Sequence, residues 1–265
     1  MPSSVQHGAM HEPETGNIKN RPMQRYFIRL SFDGTAYHGW QRQPNGMSVQ
    51  EKLEQCLSTL TRQETTVTGA GRTDAGVHAR MMMAHCDLEG EIDCRQLTYQ
   101  LNRFLPCDIV VEEIRPVGSD MHARFSAVSR TYYYYVHTSK DPFLRHYSYQ
   151  INYPLDFEQM NKAAAFLLTA NDFKAFCKAG ADVKTTLCTV TRAEWKRQSD
   201  HSWCFIITAN RFLRNMVRAV VGTLIDVGRG KITQEQFREI VAEGTRSDAG
   251  ESMPGHALFL QQITY

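Results

Sequence analysis

The feature that most limits what this chain can fold into is the order in which its apolar periodicities change. Tyr26 to Phe32 alternates as a strand, and a glycine- and proline-containing loop follows over residues 33–47. Ser48-Val49-Gln50-Glu51 has the capping-box pattern, and Val49, Leu53, Cys56, Leu57 and Leu60 fall at helical spacing behind it. A strand is expected from Met81 to Cys86 and a helix from Leu97 to Phe104, ended by Pro106. Strands follow at 109–115 and 122–138. Asp156 then opens a helix carrying Phe157, Met160, Ala164, Phe166 and Leu167 on its apolar stripe. Two strands are expected at 187–197 and 203–210, and a helix over 212–227 with Met216, Val217, Val220, Val221 and Leu224 apolar. Thr233 to Gln236 is a second capping box, with Gly244 at the C′ position of that helix. A last strand spans 258–264. The order is strand, helix, strand, helix, strands, and then much the same again, without a residue-level repeat. It predicts an α+β protein of two halves, residues 25–150 and 151–265, whose sheets can join with a cleft between them. Residues 1–24 are polar and rich in Gly and Pro, and are expected to be a disordered extension.

Within that frame one string carries chemistry. Gly69-Ala70-Gly71-Arg72-Thr73-Asp74-Ala75-Gly76-Val77-His78-Ala79 puts a single carboxylate, Asp74, in a glycine-rich turn, with an arginine two residues before it. Gly69, Gly71 and Gly76 permit backbone angles or close approaches that larger residues resist. Such a loop can hold a carboxylate in a cleft and let a bulky substrate reach it. Asp-Ala-Gly alone is more often a surface turn, but the full string is far more specific.

Composition narrows the chemistry. Hydrophobic residues make up 42 % of the chain and charged residues 22 %, as in a soluble globular protein. No apolar run approaches a membrane span, and the N-terminus has no apolar signal core, so a cytoplasmic protein is expected. The net charge is only +2, so any nucleic-acid surface must come from local clustering. Arg72, Arg80, Arg124, Arg130, Arg211, Arg214 and Arg218 lie in or beside the distinctive strings, which favours phosphate contact there. Seven cysteines without a Cys-x-x-Cys argue against a disulfide framework or a zinc clip. His85-Cys86-Asp87 alternates faces on a strand and is not expected to bind a metal. There is no Gly-Lys-Ser/Thr phosphate loop and no Gly-x-Ser-x-Gly elbow, so no metal or cofactor is expected. An aspartic-protease dyad would need a second carboxylate sharing a proton with Asp74, and Asp33-Gly34-Thr35 has its residues in the wrong order.

The string around Asp74 resembles the catalytic motif of the tRNA pseudouridine synthase A family. Phe32 to Pro44 with Ser48-Val49-Gln50 is similar to that family's N-terminal signature, Arg130 to Tyr134 to its tyrosine motif, and Phe212 to Arg218 to its second-half helix motif. The blocks stand in the family's order over roughly residues 26–260. The resemblance implies two ferredoxin-like halves sharing a mixed central sheet, with helices packed on it, and a homodimer that binds tRNA. It implies isomerisation of uridine to pseudouridine in the anticodon stem-loop, at tRNA positions 38 to 40. It assigns catalysis to Asp74, the ionic partner of Asp74 to Arg218, and stacking on the target base to Tyr132. Arg72 is expected to contact phosphate or orient the loop. Arg80, Arg130, Arg211 and Arg214 are candidate RNA contacts, as are Gln41 and Arg42 in a signature loop that the resemblance sets beside the cleft. Where the family carries Ala-Pro-Ala followed by Gly-Leu, this chain has Met253-Pro254-Gly255-His256-Ala257-Leu258, and Leu258 is expected under the base. Two routes stay open for Asp74: attack on the substrate, or abstraction of the C2′ proton. The alternative function is a tRNA-binding protein or RNA chaperone of the same fold without chemistry.

Overall fold

The computed structural model describes residues 22–181 and 183–265. The disordered extension expected over residues 1–24 lies outside the described residues up to residue 21, and Met23 and Gln24 already belong to the first strand. Along the chain, β1 (Met23–Phe32), α1 (Val49–Thr61), β2 (Thr68–Gly69), β3 (His78–Glu89), α2 (Cys94–Phe104) and β4 (Ile109–Val117) follow one another. Then come β5 (Ser129–His137), β6 (Tyr149–Gln150), α3 (Phe157–Phe166), β7 (Val190–Ser199), β8 (Ser202–Ala209), α4 (Met216–Gly228), α5 (Gln234–Ala242) and β9 (Leu258–Thr264).

The strands form one sheet in the order β4-β1-β3-β9-β5-β8-β7, with β2 on β3 and β6 on β5. It is a mixed sheet, because β3–β9 and β5–β6 are parallel while the other pairs are antiparallel. The β3–β9 pairing is the seam, and it is short: His78 faces Phe259 and Ala79 faces Leu260. Two apolar cores flank it. One gathers Phe27, Leu30, Leu53, Leu57, Met82 and Leu101 under α1 and α2. The other gathers Tyr134, Met160, Phe205, Val220, Leu224 and Phe237 under α3, α4 and α5. Leu258 packs in the second core and Leu260 in the first, while Tyr132 touches both, so apolar packing continues across the seam beside the buried imidazole of His78.

Local chemistry explains the helix ends. Ser48 Oγ accepts the N–H of Glu51 at 3.2 Å, one half of the expected capping box. Thr233 and Gln236 form the complete reciprocal box at α5. Gly244 donates to the carbonyls of Glu239 and Ile240, which closes α5 without a left-handed residue. Helix α4 is buried almost all round, as befits an element enclosed by α3 and α5.

Two expectations are corrected. Residues 122–128 are not strand, because the amides of Arg124 and Phe125 donate to the Nδ1 of His122 and fold the segment into a turn. The helix expected from 212 begins at Met216, because Asn215 before it is left-handed, with φ 69°. Phe212 and Leu213 precede a turn at Arg214 and Asn215 that Met216 N–H closes onto Leu213 O at 3.1 Å, and Leu213 is buried in the second core.

Candidate active site

The loop carrying Asp74 is shaped by neighbours on both sides. Gly39 has φ +90°, and a Cβ there would sit 2.2 Å from the carbonyl oxygen of Thr73. Trp40 N–H donates to Thr73 Oγ1 at 3.1 Å, and the buried indole lies against Gly69, where a Cβ would meet its Nε1 at 2.3 Å. Gly76 has φ +74° and donates its N–H to Tyr37 O at 3.3 Å, while Val77 N–H closes the turn onto Asp74 O at 3.2 Å. Gly69 and Gly76 thus meet the expected demands of a close approach and a positive φ. Gly71 meets neither: its φ is not positive, and nothing lies within 4 Å of the place its Cβ would take. The space beside it is open.

Opposite stands the start of α4. Arg218, in its first turn, donates from Nη1 to Asp74 Oδ2 at 2.8 Å, and both side chains are about a quarter exposed. Arg218 Nε donates to Met253 O, and Met253 N–H donates to Arg218 O at 3.2 Å, so the guanidinium is fixed at two points. A cation at a helix N-terminus opposes the helix dipole. The carboxylate of Asp74 offsets that opposition, and the pair spans 144 residues of sequence. Arg214 is exposed, with Nε 4.0 Å from Asp74 Oδ1, and adds a second, looser cation. Asn215 Nδ2 donates to Ser252 Oγ and fastens the 252–253 segment beside the pair.

Tyr132, on β5, is half-buried and stands edge-on to Phe212, with ring centroids 5.1 Å apart. Burial pushes its phenol up to about 12; Arg130 opposes the shift and the charge of Asp74 adds to it. Tyr134, on the same face, is fully buried and donates to Pro254 O at 3.1 Å, while half-buried Tyr133 and Tyr135 face the other side. Leu258 is buried at the start of β9 opposite Tyr134. The departure at Gly255 has a physical fit: a Cβ there would come 2.6 Å from Ala75 O, so this glycine lets the 253–257 segment press against the Asp74 loop.

The remaining candidates divide. Arg72 is exposed and makes no ion pair among the described residues. Arg80 is exposed on β3, its guanidinium 5.6 Å from the ring centre of Phe259. Arg211 donates to Thr185 O at 3.3 Å. Gln41 and Arg42 lie exposed in their loop, and Arg42 Nη1 is 3.9 Å from Glu54 Oε2. Arg130 is held by four carbonyls, those of Ala127, Asn210, Ala70 and Arg124, which makes it a tie between segments. Sequence reasoning missed Phe212 as the support of Tyr132, Met253 as the anchor of Arg218, and the role of Arg130 as a clamp. The first stood inside a recognised block, but nothing in the sequence marks the carbonyls that hold the other two. Among the described residues, no group of three or more His, Cys, Asp or Glu side chains is placed to hold a metal ion. No helix among them is long and apolar enough to cross a membrane.

The family model described as tRNA pseudouridine synthase matches residues 29–126 and 163–265. A protein of Bacteroides fragilis named tRNA pseudouridine synthase A is 54 % identical over 244 residues, covering 92 % of this chain and 97 % of that one. A protein of the same name from Porphyromonas gingivalis is 50 % identical, covering 92 % of this chain and 98 % of its own length. One from Acetivibrio thermocellus is 39 % identical over 92 % of this chain and all of its own.

Proposed function

This chain belongs to the tRNA pseudouridine synthase family, and from that premise we propose that it isomerises uridine to pseudouridine in tRNA, with Asp74 as the catalytic carboxylate. The reaction breaks the N1–C1′ bond, turns the base and joins C5 to C1′; C5 loses a proton and N1 gains one. It needs a carboxylate at the sugar or the base and room for an extruded nucleotide. The observation that carries the reading is the Asp74–Arg218 pair at 2.8 Å, joined across the seam and only partly covered. Arg218 holds the carboxylate in one orientation, ready for attack or for removal of the C2′ proton. Tyr132, protonated at neutral pH, stacks on the extruded base and offers its O–H to it. Leu258 closes the pocket beneath. Arg72, Arg80, Arg211 and Arg214 take phosphates around the entrance, Gln41 and Arg42 meet the RNA at the rim, and Arg130 serves through the loop it ties.

The fold proposed for each half is ferredoxin-like. What supports it is the element order strand-helix-strand-strand-helix-strand, kept by β1 to β4 with strands β4-β1-β3-β2 side by side, and by β5 to β9 with β6 and α5 added and strands β9-β5-β8-β7 side by side. The division expected at residue 150 moves, in this proposal, to the segment before Ser129, since β5 pairs with β8 and β9. The protein acts in the cytoplasm as a homodimer on the anticodon stem-loop, at positions 38 to 40, as the family resemblance implies. The test is to incubate unmodified tRNA transcripts with the protein and map pseudouridine by carbodiimide labelling and primer extension. Stops confined to the anticodon arm are expected; stops elsewhere or none refute the assignment.

A further inference from the structure

The turn from His122 to Ser126 presents an aromatic ring to solvent on a rigid mount. Phe125 is 77 % exposed. Its backbone is nonetheless tightly held. His122 Nδ1 accepts the N–H groups of Arg124 at 3.0 Å and of Phe125 at 3.2 Å. Ser126 N–H donates to His122 O, and Ser126 Oγ accepts His122 N–H, both at 2.9 Å. The His122 ring stands edge-on to buried His85 at 4.6 Å, and His85 Nδ1 accepts the N–H of Ala123 at 3.2 Å. Five hydrogen bonds therefore fix a turn whose largest apolar side chain stays in water.

One nitrogen ties the turn to the loop before Asp74. Arg130 Nη2 donates both to Arg124 O at 2.6 Å and to Ala70 O at 3.2 Å. The turn is thereby fastened to the loop four residues before Asp74, beside the open space at Gly71 and exposed Arg72. The guanidinium of Arg124 lies 5.6 Å from the centre of the Phe125 ring, a loose cation–π contact that a base can replace. An exposed, pre-ordered ring beside an arginine, on a turn tied to the loop before Asp74, matches the way proteins hold single-stranded bases.

We propose that Phe125 is a stacking platform for an unpaired tRNA base next to the base that reacts, with Arg124 and Arg72 on the phosphates beside it. This rests on the tRNA reading above and adds to it a residue that binds and positions the neighbouring nucleotide. The test measures binding of unmodified tRNA at fixed salt, and turnover at saturating tRNA, for Phe125→Ala, Phe125→Leu, Phe125→Tyr and Phe125→Trp. Loss of one base stack raises Kd about 10-fold in the Ala and Leu variants, while turnover at saturation stays within about twofold. The Tyr and Trp variants bind within about twofold of the parent, because stacking needs a flat ring and Leu supplies only area. Wild-type affinity in Phe125→Ala overturns the proposal, as does equal affinity of the Leu and Tyr variants. A change of sedimentation coefficient in Phe125→Ala without RNA also overturns it and assigns the ring to a contact between subunits. Absence of pseudouridine in the parent reaction defeats the isomerase reading alone and leaves the binding comparison in force.

Discussion

Replacing Arg218 by Met keeps much of the side chain's length and packing but removes both contacts of its guanidinium, Asp74 Oδ2 at 2.8 Å and Met253 O. A hydrogen bond between charged groups contributes about 1.5 to 3 kcal/mol net. Coulomb attraction at about 4 Å and an effective dielectric near 20 amounts to about 4 kcal/mol before the cost of partial burial is subtracted. Taking about 2 to 3 kcal/mol as the part felt by the reacting carboxylate, kcat/KM falls about 30- to 150-fold. Initial rates of tritium release from tRNA labelled at uridine C5, measured across tRNA concentrations, read this directly, and the loss is expected in kcat more than in KM. Arg218→Lys retains the charge without the fork that serves two acceptors, so it recovers only part of the rate. Loss of the Met253 bond costs about 1 kcal/mol of stability, which lowers Tm by a few degrees and leaves the protein folded at assay temperature. A rate within about threefold of the parent for Arg218→Met would refute the reasoning, because the one close ion pair of the carboxylate would then be irrelevant to the reaction.

Gly71→Ala is expected to leave Tm unchanged or slightly raised, since its Cβ meets nothing in the chain and its φ is not positive; kcat/KM should drop more than about 10-fold as the methyl enters substrate space, and full activity would show that the space is unused. Gly39→Ala combines a φ of +90° with a Cβ 2.2 Å from Thr73 O, so a loss of about 2 to 4 kcal/mol and a Tm lower by about 5 to 15 °C are expected, and an unchanged melting curve would contradict the packing described. Burial, helped by the nearby positive charges of His122 and Arg25, lowers His85 from its ordinary 6.5 to about 4. The folded state therefore keeps His85 neutral while the unfolded chain takes up a proton, so stability present above pH 6.5 declines by about 3 kcal/mol as pH falls to about 4. Denaturant midpoints across that range should fall less in His85→Gln than in the parent, and parallel curves would assign the acid sensitivity elsewhere.

Where the sequence was legible, a local rule decided the structure. The capping box at Thr233 closes in both directions, Asp156 caps α3 through its carboxylate, and the final strand runs from Leu258 to Thr264 as alternation predicts. Where local pattern failed, a distant or unusual partner had intervened. Residues 122–128 alternate well enough for a strand, but the imidazole of His122 takes the amides that a strand would pair. Phe212 to Asn215 look helical until Asn215 turns left-handed to aim Arg218 at Asp74. Of the site, Asp74 was marked by its own string, whereas its partner 144 residues away was visible only through resemblance to a family. Arg130 was legible as a cation and not as a clamp, because its four carbonyl partners leave no trace in residue type. Phe125 escaped notice because a phenylalanine in an alternating run is ordinarily a core residue, and only its 77 % exposure distinguishes it.

The measurement that bears most directly on the central claim is the Asp74→Asn variant, tested for pseudouridine formation and tRNA affinity in parallel. The substitution keeps the size of the side chain and removes the negative charge facing Arg218. No product is expected at enzyme concentrations in excess of tRNA, with Kd within a few fold of the parent. Pseudouridine formed at a rate near the parent's would contradict it, since the carboxylate would then have no part in the chemistry.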